Sequence, residues 1–179
     1  PLWNKGAENC GLVIPYRDSS GRLMGLYGRD ITRSGQEAYS PLTDMTMLED
    51  VPFLMYKSRR AEELIVVEGL FDALLIDQIG IKPVIAIGKS GLSAHQLDAL
   101  CAYGTRHCTL CLGSSARQKR ATLEAIENIS ARGLGVSVLP LTDASSDIDE
   151  FIRSNDLHRF RELLAHPQDA KIWAEENHI

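Results

Sequence analysis

Residues 64–88 constrain the fold more than any other stretch of this sequence. Residues 64–67 are four aliphatic residues without an alternating polar position, which is typical of a strand buried on both faces. Apolar residues then recur every three or four positions over residues 70–79, as in an amphipathic helix, and residues 84–87 repeat the buried-strand pattern. This order predicts a βαβ unit, in which ligands gather at the carboxyl ends of the strands. Glu68 falls at such an end.

Composition limits the classes of protein that this chain could represent. Its 179 residues, 44% of them hydrophobic, are enough for one sizeable α/β domain or two small ones. The net charge of −5 excludes a globally basic nucleic-acid binder, so any such contact is expected to use local patches. No run reaches the roughly twenty apolar residues of a membrane span. The chain also lacks a basic-plus-apolar leader, so we expect no membrane partner. Because it starts at Pro1 rather than at a methionine, we expect a piece of a longer protein.

The four cysteines do not predict a disulfide scaffold and favour a reducing compartment, the cytoplasm. Cys108 and Cys111 form a C-x-x-C motif near Cys101 and His107, which is compatible with half of a zinc site. The alternative, which we favour, is that residues 107–112 form a buried strand. Alternation along a strand would then send Cys108 and Cys111 to opposite faces of the sheet.

The patterns along the rest of the chain predict its organisation. Two strand-like runs, 12–16 and 23–27, flank the turn sequence Asp18-Ser19-Ser20-Gly21 and predict a β-hairpin. Residues 32–52 lack periodicity and predict either a connection or the surface of a small subdomain rather than core. Ser93 and Gln96 form a capping box for a helix. Further strands are expected at 108–112 and 136–139, and two short helices at 147–155 and 157–165. We therefore expect a small β-rich subdomain (1–60), a main domain (61–165) and a polar C-terminal tail (166–179).

Basic residues near the predicted strands are candidate phosphate contacts. Lys57, Arg59 and Arg60 directly precede the first buried strand, although such a trio also fits a solvated face. Lys89 follows Gly88 as in the Gly-Lys-Ser end of a phosphate-binding loop. That motif fails because Pro83 stands where it requires a glycine.

The order of these motifs resembles that of DnaG-type DNA primases of bacteria and phages. Glu68-Gly69-Leu70-Phe71-Asp72 is similar to the first motif of their Toprim domain. The hairpin, with Ile14-Pro15-Tyr16-Arg17-Asp18 followed by Gly21-Arg22, Gly25 and Gly28-Arg29, is similar to the subdomain that precedes Toprim in those primases. Two further segments fall where the family has similar elements: Tyr39-Ser40-Pro41 and Asp147-Ile148-Asp149-Glu150-Phe151. The resemblance covers about residues 10–165.

This resemblance implies an α/β Toprim fold, which is a Rossmann-like parallel sheet flanked by helices, preceded by the hairpin subdomain. It also implies primer synthesis on single-stranded DNA, a nucleotidyl transfer that uses Mg²⁺ or Mn²⁺ held by carboxylates. Glu68 would be the catalytic acid, and Glu68, Asp72, Asp147 and Asp149 the metal ligands; the alternative for Asp72 is an exposed helix residue. Arg17 and Arg29 in the hairpin motifs are candidate nucleic-acid contacts.

The sequence departs from the family at the next motif. Toprim domains carry Asp-x-Asp at the end of the third strand, where this chain reads Gly113-Ser114-Ser115-Ala116-Arg117-Gln118. Serine hydroxyls carry no charge that would offset the desolvation of a divalent ion. We therefore expect no complete two-metal site, any Mg²⁺ or Mn²⁺ to be single and weakly bound, and no organic cofactor.

The residues that replace the acids predict a different ligand. Ser114 and Ser115 lie between a strand end and a helix start, where backbone N–H groups, hydroxyls and the helix dipole favour an anion, and Arg117 and Lys119 add positive charge. A phosphate-binding corner is one interpretation. The alternative is a helix start capped by Ser114 or Ser115.

Two classes of function therefore remain open. The first is a primase core that makes short RNA primers with altered acids. The second is a non-catalytic Toprim module that binds nucleic-acid phosphates or a replication partner such as a helicase. In both, single-stranded DNA and nucleotides are the expected ligands, and a bacterial, plasmid or phage context is expected.

Overall fold

The computed structural model describes residues 11–32, 39–44, 50–81, 83–88, 91–141 and 148–177. Within residues 148–177, the side chains of 149–150 and 153–156 lie outside this description. The described residues form two β-sheets with helices on both faces of the larger one. No helix among them is both long enough and apolar enough to cross a lipid bilayer.

The smaller sheet is the predicted hairpin with one additional strand. It is antiparallel in the order β1 (Leu12–Arg17), β2 (Leu23–Arg29), β3 (Tyr39–Pro41). Asp18 closes the turn by accepting hydrogen bonds from the Ser20 hydroxyl (2.6 Å) and from the Ser20 and Arg22 amides (2.9 and 3.0 Å). These bonds, led by that of the Ser20 hydroxyl, lower the pKa of Asp18. The third strand, β3, lies within residues 32–52 and belongs to the small subdomain, which was one of the two interpretations of that segment. Its three residues are too few to show a period.

The larger sheet contains the predicted βαβ unit. Its strand order is β5-β4-β6-β7-β8, with β8 antiparallel to β7 and the other strands parallel. Its elements in chain order are β4 (Glu63–Val67), α1 (Leu70–Gln78), β5 (Val84–Ala86), α2 (Ala94–Ala102), β6 (His107–Cys111), α3 (Ala116–Ser130), β7 (Gly135–Val138), α4 (Ile148–Ala165), β8 (Gln168–Asp169) and α5 (Ala170–Glu176). The Ser93 capping box of α2 is confirmed.

The two faces of the larger sheet bury separate hydrophobic clusters. Cys108 and Leu110 pack with α2, α3 and α5, whereas Val67 and Cys111 pack with α1 and α4. Cys108 and Cys111 therefore point to opposite faces, as the strand alternation predicted. Burial raises the pKa of the Cys108 thiol to about 12. Burial, assisted by the negative charge of Asp72, also raises the pKa of Cys111.

The C-terminal part of the chain differs from its prediction in two places. One continuous helix, α4, replaces the two short helices, because no glycine or proline interrupts residues 148–165. The segment predicted to be a polar tail forms β8 and α5 instead. Trp173 is only 5% exposed and Ala170 only 3%. A helix of seven residues is too short for its apolar positions to show a clear period.

The hairpin sheet is attached to the larger sheet by aromatic contacts. Tyr16 packs on Phe53 with ring centroids 5.3 Å apart and donates a hydrogen bond to the Val51 carbonyl (2.7 Å). Phe53 in turn forms an isolated antiparallel bridge with Ala86 of β5. Burial raises the pKa of Tyr16. At the far end, the Tyr103 hydroxyl donates to the Ser19 carbonyl in the hairpin turn.

We predict that the packing of the C-terminal helix contributes to the stability of the domain. Trp173→Ala should lower the free energy of unfolding by about 3 kcal/mol or more, because it opens a large cavity beside β7. Ile172→Ala is the matched control, since Ile172 is 52% exposed and should change stability by less than about 1 kcal/mol. Urea unfolding followed by circular dichroism measures both. Equal stability of the two variants would contradict the assignment.

Candidate functional site

A crevice opens at the carboxyl ends of β4 and β6. These strands pair directly, with Val67 opposite Cys111. Helix α1, which follows β4, packs on one face of the sheet, and α3, which follows β6, packs on the other. Adjacent parallel strands whose helices leave on opposite faces create a ligand-binding crevice. A cavity of about 140 Å³ lies there, lined by Glu68, Gly69, Asp72, Cys111, Leu112, Gly113, Gln118, Leu141 and Ile148.

The Glu68 carboxylate is held by the first turn of α3. Arg117 Nη2 donates to Glu68 Oε1 at 2.8 Å, and Gln118 Nε2 donates to Oε2 at 3.3 Å. Glu68 is 22% exposed and Arg117 is 53% exposed. Both carboxylate oxygens therefore have donors, and a guanidinium neutralises the negative charge.

Gln118 connects this ion pair to the cap of α3. The Ser115 hydroxyl accepts a hydrogen bond from the backbone N–H of Gln118 (3.3 Å). In return, the side-chain oxygen of Gln118, Oε1, accepts from the backbone N–H of Ser115 (3.1 Å) and from its hydroxyl (2.7 Å). This reciprocal capping box satisfies two donors that a helix start otherwise leaves open. Those two N–H groups are thus engaged within the protein, as the capped-helix interpretation predicted.

Gly113 makes room for Gln118. Its φ of +104° lies in a region that residues with side chains rarely adopt. A Cβ at this position would lie 2.4 Å from the Gln118 side chain. An acid at position 113 and the observed conformation of Gln118 are therefore mutually exclusive.

Asp72 is the second acid of the cavity. It is half-buried in the first turn of α1. Its carboxylate lies over Gly69, where a Cβ would come within 2.6 Å of Asp72 Oδ2. The glycine between Glu68 and the helix therefore lets both acids face the same cavity.

Comparison with known proteins identifies the family. The sequence model of the Toprim-like family matches residues 65–152. A DNA primase of Staphylococcus epidermidis is 28% identical over 158 residues, which are 86% of this chain and 26% of that protein. The chain contains a Toprim domain of the DnaG primase type. It spans about a quarter of the length of the primases that it matches.

Solved structures of primases share the fold. The zinc-binding and RNA polymerase domains of the Aquifex aeolicus primase give a TM-score of 0.75 at 24% identity, over 93% of this chain and 44% of that one. A DnaG catalytic domain bound to single-stranded DNA gives 0.75 at 19% identity, over 92% of this chain and 55% of that one. Both include the parallel sheet and the hairpin sheet of this chain, since each comparison covers more than nine-tenths of it.

The described acids do not by themselves form a metal site. Asp147 lies outside the described residues, and so does the side chain of Asp149. Among the described side chains, no group of three could hold a metal ion. Glu68 and Asp72 share the cavity, but the Arg117 guanidinium lies where it repels a cation near Glu68.

The structure separates the candidate phosphate contacts into two groups. The first group lies at the carboxyl edge of the sheet and includes Ser114, Ser115, Arg117 and Lys119. Arg29 belongs to the same group, because its guanidinium lies 4.9 Å from the centre of the Phe71 ring in α1.

The other group lies at the amino edge. Lys57 pairs with Asp77 at 2.5 Å, and this hydrogen bond raises the pKa of Lys57. Arg17 donates to the Gly21 carbonyl in the hairpin turn. Arg59 and Arg60 are exposed just before β4, so the length of that strand, about 16 Å, separates them from Glu68. Lys89 lies outside the described residues.

Sequence reasoning missed the role of Gln118. It assigned Arg117 to phosphate, and it did not pair either residue with Glu68. The spacing Ser115-x-x-Gln118 is itself a capping-box signal and could have located Gln118 at the helix start. Its second contact, to Glu68, depends on the pairing of β4 with β6 and has no local signal.

We predict that introducing an acid at position 113 destabilises this Toprim domain. Gly113→Asp should cost about 2 kcal/mol, because the left-handed backbone disfavours a side chain and the new carboxylate displaces Gln118. Ala116→Asp adds the same charge in the first turn of α3, where the dipole favours it, and should be neutral or slightly stabilising. Urea unfolding of both variants gives the comparison. If Gly113→Asp is as stable as Ala116→Asp, Gly113 is not required by Gln118.

Proposed function

We propose that this Toprim domain binds single-stranded nucleic acid during DNA replication, with its metal-dependent nucleotidyl transfer weakened or lost. The observation that carries the proposal is the bonding of both Glu68 oxygens to Arg117 and Gln118. Kinship with DNA primases supports the replication context. The fold that it shares with a DnaG domain bound to single-stranded DNA supports the ligand.

The chemistry of nucleotidyl transfer explains why the ion pair matters. In primases that use metal ions, carboxylates hold the cations that neutralise charge on the transferring phosphate. In this chain residues 112–120 contain no acid, by sequence, and Glu68 already has a cationic partner. The site therefore carries less negative charge with which to attract Mg²⁺ or Mn²⁺.

Two arginines at the carboxyl edge are suited to the nucleic-acid backbone. The Arg117 guanidinium uses Nη2 for Glu68, is half-exposed, and has further N–H donors for a phosphate oxygen. Arg29 is held against Phe71 beside the start of α1. Such contacts supply local positive charge in a chain whose net charge is −5.

The second candidate function is primer synthesis itself. It is favoured by the placement of Glu68 and Asp72 in one cavity. Asp147 and Asp149 follow β7 in the sequence and could add carboxylates. A domain that catalyses primer synthesis would bind Mn²⁺ tightly with Arg117 in place. The Mn²⁺ affinity of the wild-type chain therefore separates the two candidate functions.

We predict that Arg117 limits the affinity for metal. The wild-type chain should bind Mn²⁺ only weakly, and Arg117→Ala should tighten binding by about tenfold, because a positive charge is removed beside the Glu68 carboxylate. Arg120→Ala removes the same charge from an exposed position of α3 that lines neither cavity, so its affinity should stay within about twofold. Electron paramagnetic resonance of free Mn²⁺ measures the three affinities. Tight wild-type binding that is insensitive to Arg117→Ala would refute weakened metal binding.

We also predict that the two edges of the sheet differ in DNA binding. The double variant Arg29→Ala/Arg117→Ala should weaken binding of an oligothymidylate about tenfold and reduce its salt slope by about 1.4, as expected for two lost contacts to a single strand. The double variant Arg59→Ala/Arg60→Ala removes two charges from the opposite edge and should bind within about twofold of wild type.

Fluorescence anisotropy across a salt series measures this difference. Equal weakening by the two double variants would refute a site at the carboxyl edge. Primer synthesis with Mn²⁺ is assayed in parallel, and labelled primers that disappear in Glu68→Gln would establish the catalytic candidate instead.

A further inference from the structure

A second cavity lies on the other side of the β6–α3 loop. Its volume is about 120 Å³, and it shares Leu112, Gly113 and Leu141 with the Glu68 cavity. Its remaining walls come from α3, the end of β7, β8 and α5. The loop that carries Gly113 and Ser114 therefore separates two neighbouring cavities at the same edge of the sheet.

Lys119 brings positive charge to this second cavity. It lies one turn before Thr122, and the two side chains line the cavity together. In the part of the chain that the structure describes, no acidic side chain forms an ion pair with Lys119. In contrast, Lys57 and Arg117 are both paired with acids. Lys119 is also only partly exposed, so its charge is less screened than that of a fully solvated lysine.

The other walls combine polar groups with apolar surface. Ser114, Gln168 and Asn177 contribute polar side chains, and Trp173 and Pro140 contribute apolar ones. Glu176 also lines the cavity, but its carboxylate accepts a hydrogen bond from Gln168 at 2.7 Å. A volume of 120 Å³ has room for about four water molecules. That space suits the five heavy atoms of a phosphate group and is too small for a whole nucleotide.

We propose that this second cavity binds one phosphate group, with Lys119 as its charged contact and Ser114 as a hydroxyl partner. Lysine binds phosphate as a point charge and needs no planar geometry. The phosphate belongs either to a nucleotide or to a nucleic-acid strand, which present the same chemistry to the cavity. Glu176 opposes the anion and limits its affinity. The proposal does not rest on the state of Glu68, because Glu68 and its partner Gln118 line the other cavity and Arg117 bonds to Glu68 there.

Isothermal titration of the whole chain with inorganic phosphate, ATP and an oligothymidylate tests this site. Lys119→Ala should weaken binding of the recognised ligand about tenfold, as expected for loss of a hydrogen bond to a charged group. Arg120→Ala, the matched control on the exposed side of α3, should change it less than about twofold. Glu176→Gln should tighten it about threefold, because a like charge is removed.

The outcomes separate the sources of the phosphate and the competing explanations. Binding of ATP and inorganic phosphate that Lys119→Ala weakens identifies a free nucleotide, and an effect of Lys119→Ala on the oligonucleotide alone identifies a strand. Equal weakening by Lys119→Ala and Arg120→Ala would overturn the proposal, because it would reduce the effect to general electrostatics. Absence of millimolar binding for all three ligands would overturn it as well.

Two controls keep this test separate from that of the proposed function. Lys119→Ala should leave Mn²⁺ affinity unchanged, whereas Arg117→Ala should change it. If Lys119→Ala unfolds at a lower temperature than wild type, Lys119→Gln provides the same loss of charge with most of the side-chain volume retained, and the same loss of binding is expected.

Discussion

The direct parallel pairing of β4 with β6 is the constraint on which the rest of the site depends. It places the end of one strand, with Glu68, beside the end of the other, with Gly113 and the start of α3. Because α1 and α3 pack on opposite faces of the sheet, neither of these two helices covers the strand ends. Residues about fifty positions apart in the chain can then form one ion pair.

Within this crevice, the side chains that bond to the Glu68 carboxylate belong to the capped start of α3. Arg117 neutralises Glu68, and Gln118 holds the second carboxylate oxygen while completing the capping box with Ser115. Gly113 permits this arrangement because a side chain there would collide with Gln118. The residues of the loop therefore depend on one another. A side chain at position 113 would displace Gln118 and so disturb the cap.

The start of α3 also sends its polar side chains into two different environments at this edge of the sheet. Arg117 and Gln118 bond to Glu68 at the end of β4, and Lys119 and Thr122 line the cavity formed with α5. Consecutive residues of a helix point about 100° apart, so a short basic run supplies two different environments. One cation is paired with an acid, and the next lines a cavity without an acidic partner among the described residues. Trp173 of the C-terminal helix, with Asn177 directly after it, forms one wall of that second cavity.

Local sequence patterns determined the hairpin, the βαβ unit, the capping box of α2 and the opposite orientation of Cys108 and Cys111, because each depends on the period or turn chemistry of a few neighbouring residues. The same patterns were too short to reveal β3 or α5, and they split α4. Only the tertiary structure decided which polar side chains meet. The partners of Glu68 and the separation of Lys119 from Arg117 depend on strand pairing and on the faces from which helices leave. Those contacts join distant residues, and no local period records them.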